Sequence, residues 1–274
     1  MNNTVVRTIS GIGFVAIIVA SLLLNKFVFA ALMIFIEVVM MIEFFRMTMG
    51  KKYFLSQALA VVAGVVLFAL FFLICAYDIH LKYMALAIIP ISIIMVESLY
   101  VKDKDDFWKF SFIYTGTLYI SIPLALSNFL VFDNTVFNGL PMLCFFIIIW
   151  ATDVGGYVFG LTFGKNGKKL FPEISPKKSW AGFWGGMICA TAAAAILKYI
   201  GLLDFPMVHC IFMAIVMDVA GVYGDLFESQ WKRCFDIKDS GKIIPGHGGM
   251  LDRFDSSLIA IPTGVLYLIV FNLM

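Results

Sequence analysis

The densest run of ionisable and hydrogen-bonding side chains lies between Trp231 and Asp255, in the segment WKRCFDIKDSGKIIPGHGGMLDRFD. It holds 5 of the 20 Lys and Arg residues and 4 of the 18 Asp and Glu residues of a chain that is 62% hydrophobic. Charges set between two membrane-length apolar runs are expensive to keep, and they mark a working site at a membrane face. The run just upstream carries Asp218, Asp225, Glu228, Ser229, Lys232 and Arg233. Steps of three, four and seven residues return to one helical face, so Asp218, Asp225, Ser229 and Lys232 share a stripe. Asp218 lies about 10 Å deeper than Asp225 at the rise of an α-helix. It either faces a wet cavity or a cation, or is a protonated group bonded to a neighbouring helix.

Asp252 and Asp255 flank Arg253 just before the last apolar run. Hard oxygen ligands of this kind suit Mg²⁺, which takes one or two carboxylates and completes its shell with water and substrate phosphate. Asp225 and Asp252 approach the same depth from adjacent spans and are the expected metal pair. Cys75, Cys144, Cys189, Cys210 and Cys234 are scattered singly and offer neither a disulfide framework nor zinc spacing. In Pro245-Gly246-His247-Gly248-Gly249, three glycines permit positive φ and close approach of main-chain N–H groups to an anion, and His247 can donate to a phosphate or carry a proton. Beside Lys232, Arg233, Lys238 and Asp252, this turn reads as a diphosphate cradle.

A second constellation runs through Asp153, Gly155, Gly156, Tyr157, Gly160, Gly164, Lys165 and Lys168 into Ser175-Pro176-Lys177-Lys178-Ser179. Asp153 is another intramembrane carboxylate, and the glycines let either a helix or a ligand come close. The Lys-rich loop with Ser175 and Ser179 is a second candidate phosphate binder. Glu43 and Arg46, three apart, can pair along a helix. Lys102-Asp103-Lys104-Asp105-Asp106 reads as a charge-balanced, solvated connection, and His80 and His209 as structural or interfacial groups.

These residues need elements to carry them. Only 14% of the 274 residues are charged, and the mean hydropathy is +0.97, which makes an all-α polytopic integral membrane protein the expected fold. A span needs roughly 20 mostly apolar residues. That rule predicts about nine, over residues 5–24, 27–45, 55–77, 83–101, 110–132, 139–163, 181–201, 205–230 and 256–273. The chain is read as one transmembrane domain, with N-terminal spans in 1–137 and the chemistry in 138–274. With the N-terminus placed in the cytoplasm, 17 of the 20 cations fall on that side and only Lys26, Lys82 and Lys198 on the other. The basic loops 164–180 and 231–253 then share one face, a surface that attracts phosphates of lipid headgroups or of a nucleotide. A net charge of +2 argues against nucleic acid as a partner.

The segment from Ser229 through Lys232-Arg233, Lys238-Asp239, Pro245-Gly246-His247-Gly248-Gly249 and Asp252-Arg253-Phe254-Asp255 resembles the signature of the phosphatidate cytidylyltransferases, or CDP-diacylglycerol synthases. Gly224 to Glu228, Asp153 to Gly164, Ile174 to Lys178 and Glu43-Phe-Phe-Arg46 resemble further segments of that family. Ala181 departs from it, standing where bacterial members often carry a glutamate. The resemblance implies that CTP and phosphatidic acid give CDP-diacylglycerol and pyrophosphate for phospholipid biosynthesis, at the cytoplasmic face of the inner membrane. It implies Mg²⁺ on Asp225 and Asp252, with K⁺ as a further cation, and a homodimer in the bilayer. Ser229, Lys232, Arg233, His247 and Arg253 would hold phosphates, while Asp153, Lys165, Lys168, Ser175, Lys178, Gly246, Gly248 and Gly249 would line the substrate site. The rival readings are a CTP-dependent lipid kinase, a cytidylyltransferase of another lipid phosphate, and an ion-coupled transporter. A transporter predicts inverted repeats, which the sequence does not display.

Overall fold

The computed structural model describes residues 3–102, 104–246 and 248–274. Among these, eight helices are long and apolar enough to cross a membrane: Lys26–Thr48, Phe54–Tyr77, Leu81–Ser98, Phe110–Val131, Leu140–Thr162, Trp180–Tyr199, Met207–Cys234 and Leu251–Val270. A shorter apolar stretch, Thr8–Leu24, belongs to the first helix, Asn3–Leu24. The protein is thus an all-α polytopic membrane protein, and each expected span has a helix. We call the first three helices α1 (Asn3–Leu24), α2 (Lys26–Thr48) and α3 (Phe54–Tyr77).

Local chemistry explains the breaks between helices. Asn25 alone separates α1 from α2, and its side chain accepts from the Phe27 and Val28 N–H groups at 3.0 and 3.1 Å, capping α2. The fourth span opens as a 3₁₀ turn, Leu81–Ala87, before its α-helix Ile88–Ser98, which we call α4. The fifth span contains a π-helical turn, Thr117–Ser121. It runs into a two-stranded hairpin, β1 (Phe132–Asp133) and β2 (Val136–Phe137), paired antiparallel. Asn134 and Thr135 both take positive φ, as a two-residue hairpin turn demands.

The chain divides into two compact units. The first comprises residues 1–138 and 237–253, the second 139–236 and 254–274. In the first, Phe29, Met33, Ile36, Met40 and Phe44 form the buried stripe of α2 at helical spacing. Glu37 is fully buried on the same helix, and its carboxylate fits only because residue 64 is glycine: a Cβ there would lie 2.5 Å from Glu37 Oε1 and 2.3 Å from Ser121 Oγ. Asp106, expected in a solvated connection, is instead buried. It forms ion pairs with Lys52 at 3.0 Å and with Lys109, and it accepts from Tyr53 Oη at 3.0 Å. Its neighbours in sequence had suggested local charge balance, but the compensating cations are Lys52, in the turn between α2 and α3, and Lys109.

In the second unit we call the helices α5 (Leu140–Thr162), α6 (Trp180–Tyr199), α7 (Met207–Cys234) and α8 (Ser257–Val270). Helices α5 and α6 pack closely because their facing positions are small. A Cβ at Gly155 would lie 2.6 Å from the Gly185 carbonyl oxygen. Residues 164–180, expected as a loop, contain a hairpin of β3 (Lys169–Phe171) and β4 (Ser175–Ser179), with Lys169 opposite Ser179 and Phe171 opposite Ser175. Ser179 ends β4 and caps α6, accepting from the Gly182 N–H at 3.2 Å.

Candidate active site

A cavity of about 360 Å³ opens in the second unit, within the range typical of small-molecule sites. Glycines make its floor: Gly156 and Gly160 on α5, Gly182 and Gly186 on α6. Charge stands on its walls. Asp153 comes from α5, Lys177 and Lys178 from β4, and Asp225 from α7, while Tyr157, Leu161, Leu170, Phe183 and Val222 supply the apolar lining. Lys178 Nζ lies 2.6 Å from Asp225 Oδ2. The hairpin aims this lysine, because the register of β3 and β4 and the Ser179 cap fix where β4 enters α6.

Of the expected stripe on α7, the Ser229–Asp225 pair forms. Ser229 Oγ donates to Asp225 Oδ1 at 3.3 Å, one turn away. Lys232 pairs with Glu228, also one turn away, on a carboxylate that is 1% exposed. Asp255 lies within electrostatic reach of Asp225, Glu228 and Asp153. The second unit therefore gathers four carboxylates, with Lys178 on Asp225 and Lys232 on Glu228. Asp218 is buried, and its Oδ1 would lie 3.1 Å from a Cβ placed at Gly186, beside Thr152 of α5.

Other expected site residues lie apart from the cavity walls. Arg233 Nε donates to the Ile174 carbonyl at 3.4 Å, so it braces the hairpin. Lys165 and Lys168 are exposed, and their carbonyls accept from Lys169 Nζ at 3.3 Å and from the Trp180 N–H at 3.1 Å. Ser175 is committed to the hairpin, opposite Phe171.

In the first unit, Asp252 Oδ2 accepts from the Ser240 N–H at 2.9 Å, Ser240 Oγ at 3.0 Å and the Gly249 N–H at 2.8 Å. Gly246 and Gly248 take the positive φ that the turn was expected to need, 77° and 86°. Gly249 serves a different end from the one its sequence suggested. Its N–H is spent on Asp252 instead of on an anion, and a Cβ there would lie 2.2 Å from Ser240 Oγ. Arg253 is exposed, and His247 lies outside the described residues.

Sequence reasoning named Lys177 and Tyr157 in its second constellation without giving either a role of its own at the site, and it passed over Ser240. The first two carry no spacing signal of their own, and Ser240 acts through a loop whose closure no local pattern predicts. Glu43 was placed with Arg46, yet it turns inward to Ser240 and Leu251 while Arg46 is exposed.

The Cytidylyltransferase family model matches residues 5–271. The chain belongs to this family. A phosphatidate cytidylyltransferase of Bacillus subtilis (strain 168) is 32% identical over 261 residues, covering 93% of this chain and 94% of the relative. The phosphatidate cytidylyltransferases of Staphylococcus epidermidis (strain ATCC 35984) and Staphylococcus aureus (strain COL) are each 40% identical, over 155 and 157 residues. Those two alignments span 56% of this chain and 59% of each relative. Membership makes the chain a nucleotidyltransferase, and lysines and carboxylates of the second unit converge on the glycine-lined cavity.

Among the described residues, no three His, Cys, Asp or Glu side chains form a ready metal site. Mg²⁺ does not require one, since it keeps several waters and takes phosphate oxygens with one or two carboxylates. The donor set suits it. Asp255 lies within electrostatic reach of Asp153 and Asp225, and the three offer hard carboxylate oxygens of the kind this cation takes. Asp252 is a carboxylate held in one orientation by three donors, as ligating carboxylates usually are.

Proposed function

We propose that this protein is a phosphatidate cytidylyltransferase, joining the phosphate of phosphatidic acid to the cytidylyl group of CTP with release of pyrophosphate. The observation that carries the reading is the cavity itself, where Lys177, Lys178, Asp153 and Asp225 surround a glycine floor among membrane-length helices. The lipid phosphate is ionised near neutral pH, so the attacking oxygen needs no strong base. The harder task is to bring two polyanions together and to hold charge on the α-phosphoryl group and on the departing pyrophosphate. Lys177 and Lys178 supply fixed cations for that purpose, and the glycine floor lets phosphate oxygens approach main-chain atoms. Mg²⁺, held by Asp225 with Asp255 beside it, would when bound supply further neutralisation of the phosphates. Ser229 keeps Asp225 oriented, and Lys232 and Arg233 extend the basic edge of α7.

The unequal distribution of Lys and Arg supports a cytoplasmic active face and an inner-membrane location. Apolar groups such as Tyr157 and Leu161, exposed at the cavity, suit acyl chains arriving from the bilayer.

The test uses the purified full chain in detergent with phosphatidic acid, labelled CTP and Mg²⁺. Formation of CDP-lipid with pyrophosphate is the expected outcome. Release of CDP with a phosphorylated lipid would identify a CTP-dependent kinase instead. Absence of any CDP-lipid from glycerolipid phosphates would overturn the assignment.

A further inference from the structure

Ser240, Gly241, Gly249 and Leu251 surround a carboxylate that belongs to a distant part of the sequence. Glu43, on α2, is 5% exposed, and its Oε2 accepts from the Leu251 N–H at 2.9 Å and lies 3.4 Å from Ser240 Oγ. Two glycines make room for it. A Cβ at Gly241 would lie 2.1 Å from Glu43 Oε1, and one at Gly249 2.6 Å from Oε2. The Ser240 hydroxyl is a single donor that faces two acceptors in a three-centre arrangement, Asp252 Oδ2 at 3.0 Å and Glu43 Oε2 at 3.4 Å. Ser240 thereby links Glu43 to Asp252, whose Oδ2 also receives the Ser240 and Gly249 N–H groups. A second tether comes from α1, where Ser10 Oγ donates to the Pro245 carbonyl at 2.8 Å.

We infer that Glu43 is a positioning residue for the reaction: through Leu251 and Ser240 it holds the glycine-rich turn and the Asp252 carboxylate in the arrangement that substrate meets. Three features separate this from ordinary burial of a helix residue. The groups that Glu43 holds are main-chain and hydroxyl donors of the loop, not neighbours on its own helix. Both donors precede Asp252 in sequence, Leu251 directly and Ser240 12 residues before it. Two loop glycines leave no space for any side chain that would displace the carboxylate. The inference rests on the proposed cytidylyltransferase reading for its kinetic consequence, while the anchoring itself can be measured without turnover.

Glu43→Gln keeps a carbonyl oxygen able to accept from Leu251, whereas Glu43→Ala leaves that buried N–H without its acceptor. The purified full-length variants are compared by hydrogen exchange and by steady-state kinetics with CTP and Mg²⁺ varied. For Glu43→Ala, the Gly249 and Leu251 amides should exchange at least about tenfold faster, the scale of a lost acceptor for a buried N–H. The helix amides of α2 and α3 should keep their protection. The concentration of CTP or Mg²⁺ needed for half-maximal rate should rise by a similar factor, with kcat changing much less, and Glu43→Gln should restore both. Unchanged loop exchange in Glu43→Ala would overturn the inference, as would protection lost equally along α2 and α3. Faster loop exchange with unaltered kinetics would overturn it too, leaving Glu43 a loop anchor with no bearing on catalysis. If the parent protein forms no CDP-lipid, the functional reading fails, and the exchange measurement alone then decides whether Glu43 anchors the loop.

Discussion

Lys178 offers the sharpest test of the cavity, because replacing it should move two measured quantities in opposite directions. In the structure its Nζ sits 2.6 Å from Asp225 Oδ2, with the two side chains 25% and 31% exposed. A pair this accessible to solvent is worth about 0.2–1 kcal/mol. A cation arriving at Asp225 must displace the lysine, so Lys178→Met should lower the free Mg²⁺ needed for half-maximal rate by about 1.4- to 5-fold. The nucleotide feels the opposite effect. Losing one charge-assisted hydrogen bond to phosphate costs about 1.5–3 kcal/mol, or about 10- to 150-fold in kcat/KM for CTP. Methionine is of similar length and apolar, so the cavity keeps its shape. Initial rates of CDP-lipid formation, with CTP and free Mg²⁺ varied independently, separate the two effects, and Lys178→Arg should recover part of the CTP term. A kcat/KM within about threefold of the parent would refute the assignment of Lys178 to phosphate. A raised Mg²⁺ requirement would refute the competition between Lys178 and the cation for Asp225.

Asp225→Asn removes the carboxylate that Lys178 and Ser229 both address, and should lower kcat by about 10²- to 10³-fold in the same assay while the detergent-solubilised protein stays folded. Gly164→Ala should destabilise the second unit by about 1–3 kcal/mol through overpacking, since the new Cβ would lie 1.9 Å from Ser179 Oγ and 2.7 Å from the Gly160 carbonyl; thermal unfolding of the purified variant measures it. Lys109 and then Lys52 hold the Asp106 carboxyl down at about 2. A folded pKa below the unfolded one adds stability that is present above the ordinary carboxylate range and lost as pH falls toward 2, so the melting temperatures of the parent and Asp106→Asn should differ most near neutral pH and converge in acid. A gap independent of pH would show that the ion pairs are not its source.

What was legible in the sequence follows from how far each interaction reaches. Hydropathy is tested residue by residue against the bilayer, so the helices could be placed without knowing which neighbours they would meet. Contacts one helical turn apart were also legible, because the helix itself sets their geometry: Ser229 meets Asp225, and Lys232 meets Glu228. The glycines of the Pro245 turn were read correctly where φ decides, at Gly246 and Gly248, and incorrectly at Gly249, where packing against Ser240 and Glu43 decides.

The sequence by itself determined that this is an all-α membrane protein with membrane-length helices, and which stretches are polar enough to work. It also carried the signature of its family. Only the tertiary structure decided which of the polar residues meet. Lys178 reaches Asp225 because a hairpin turns it toward α7, Asp106 finds its cations at Lys52 and Lys109, and Glu43 binds an amide 208 residues away in place of the arginine three positions along its own helix. The physical reason is the cost of leaving a buried donor or carboxylate without a partner. That cost is set by the three-dimensional surroundings of each group, and spacing along the chain does not encode them.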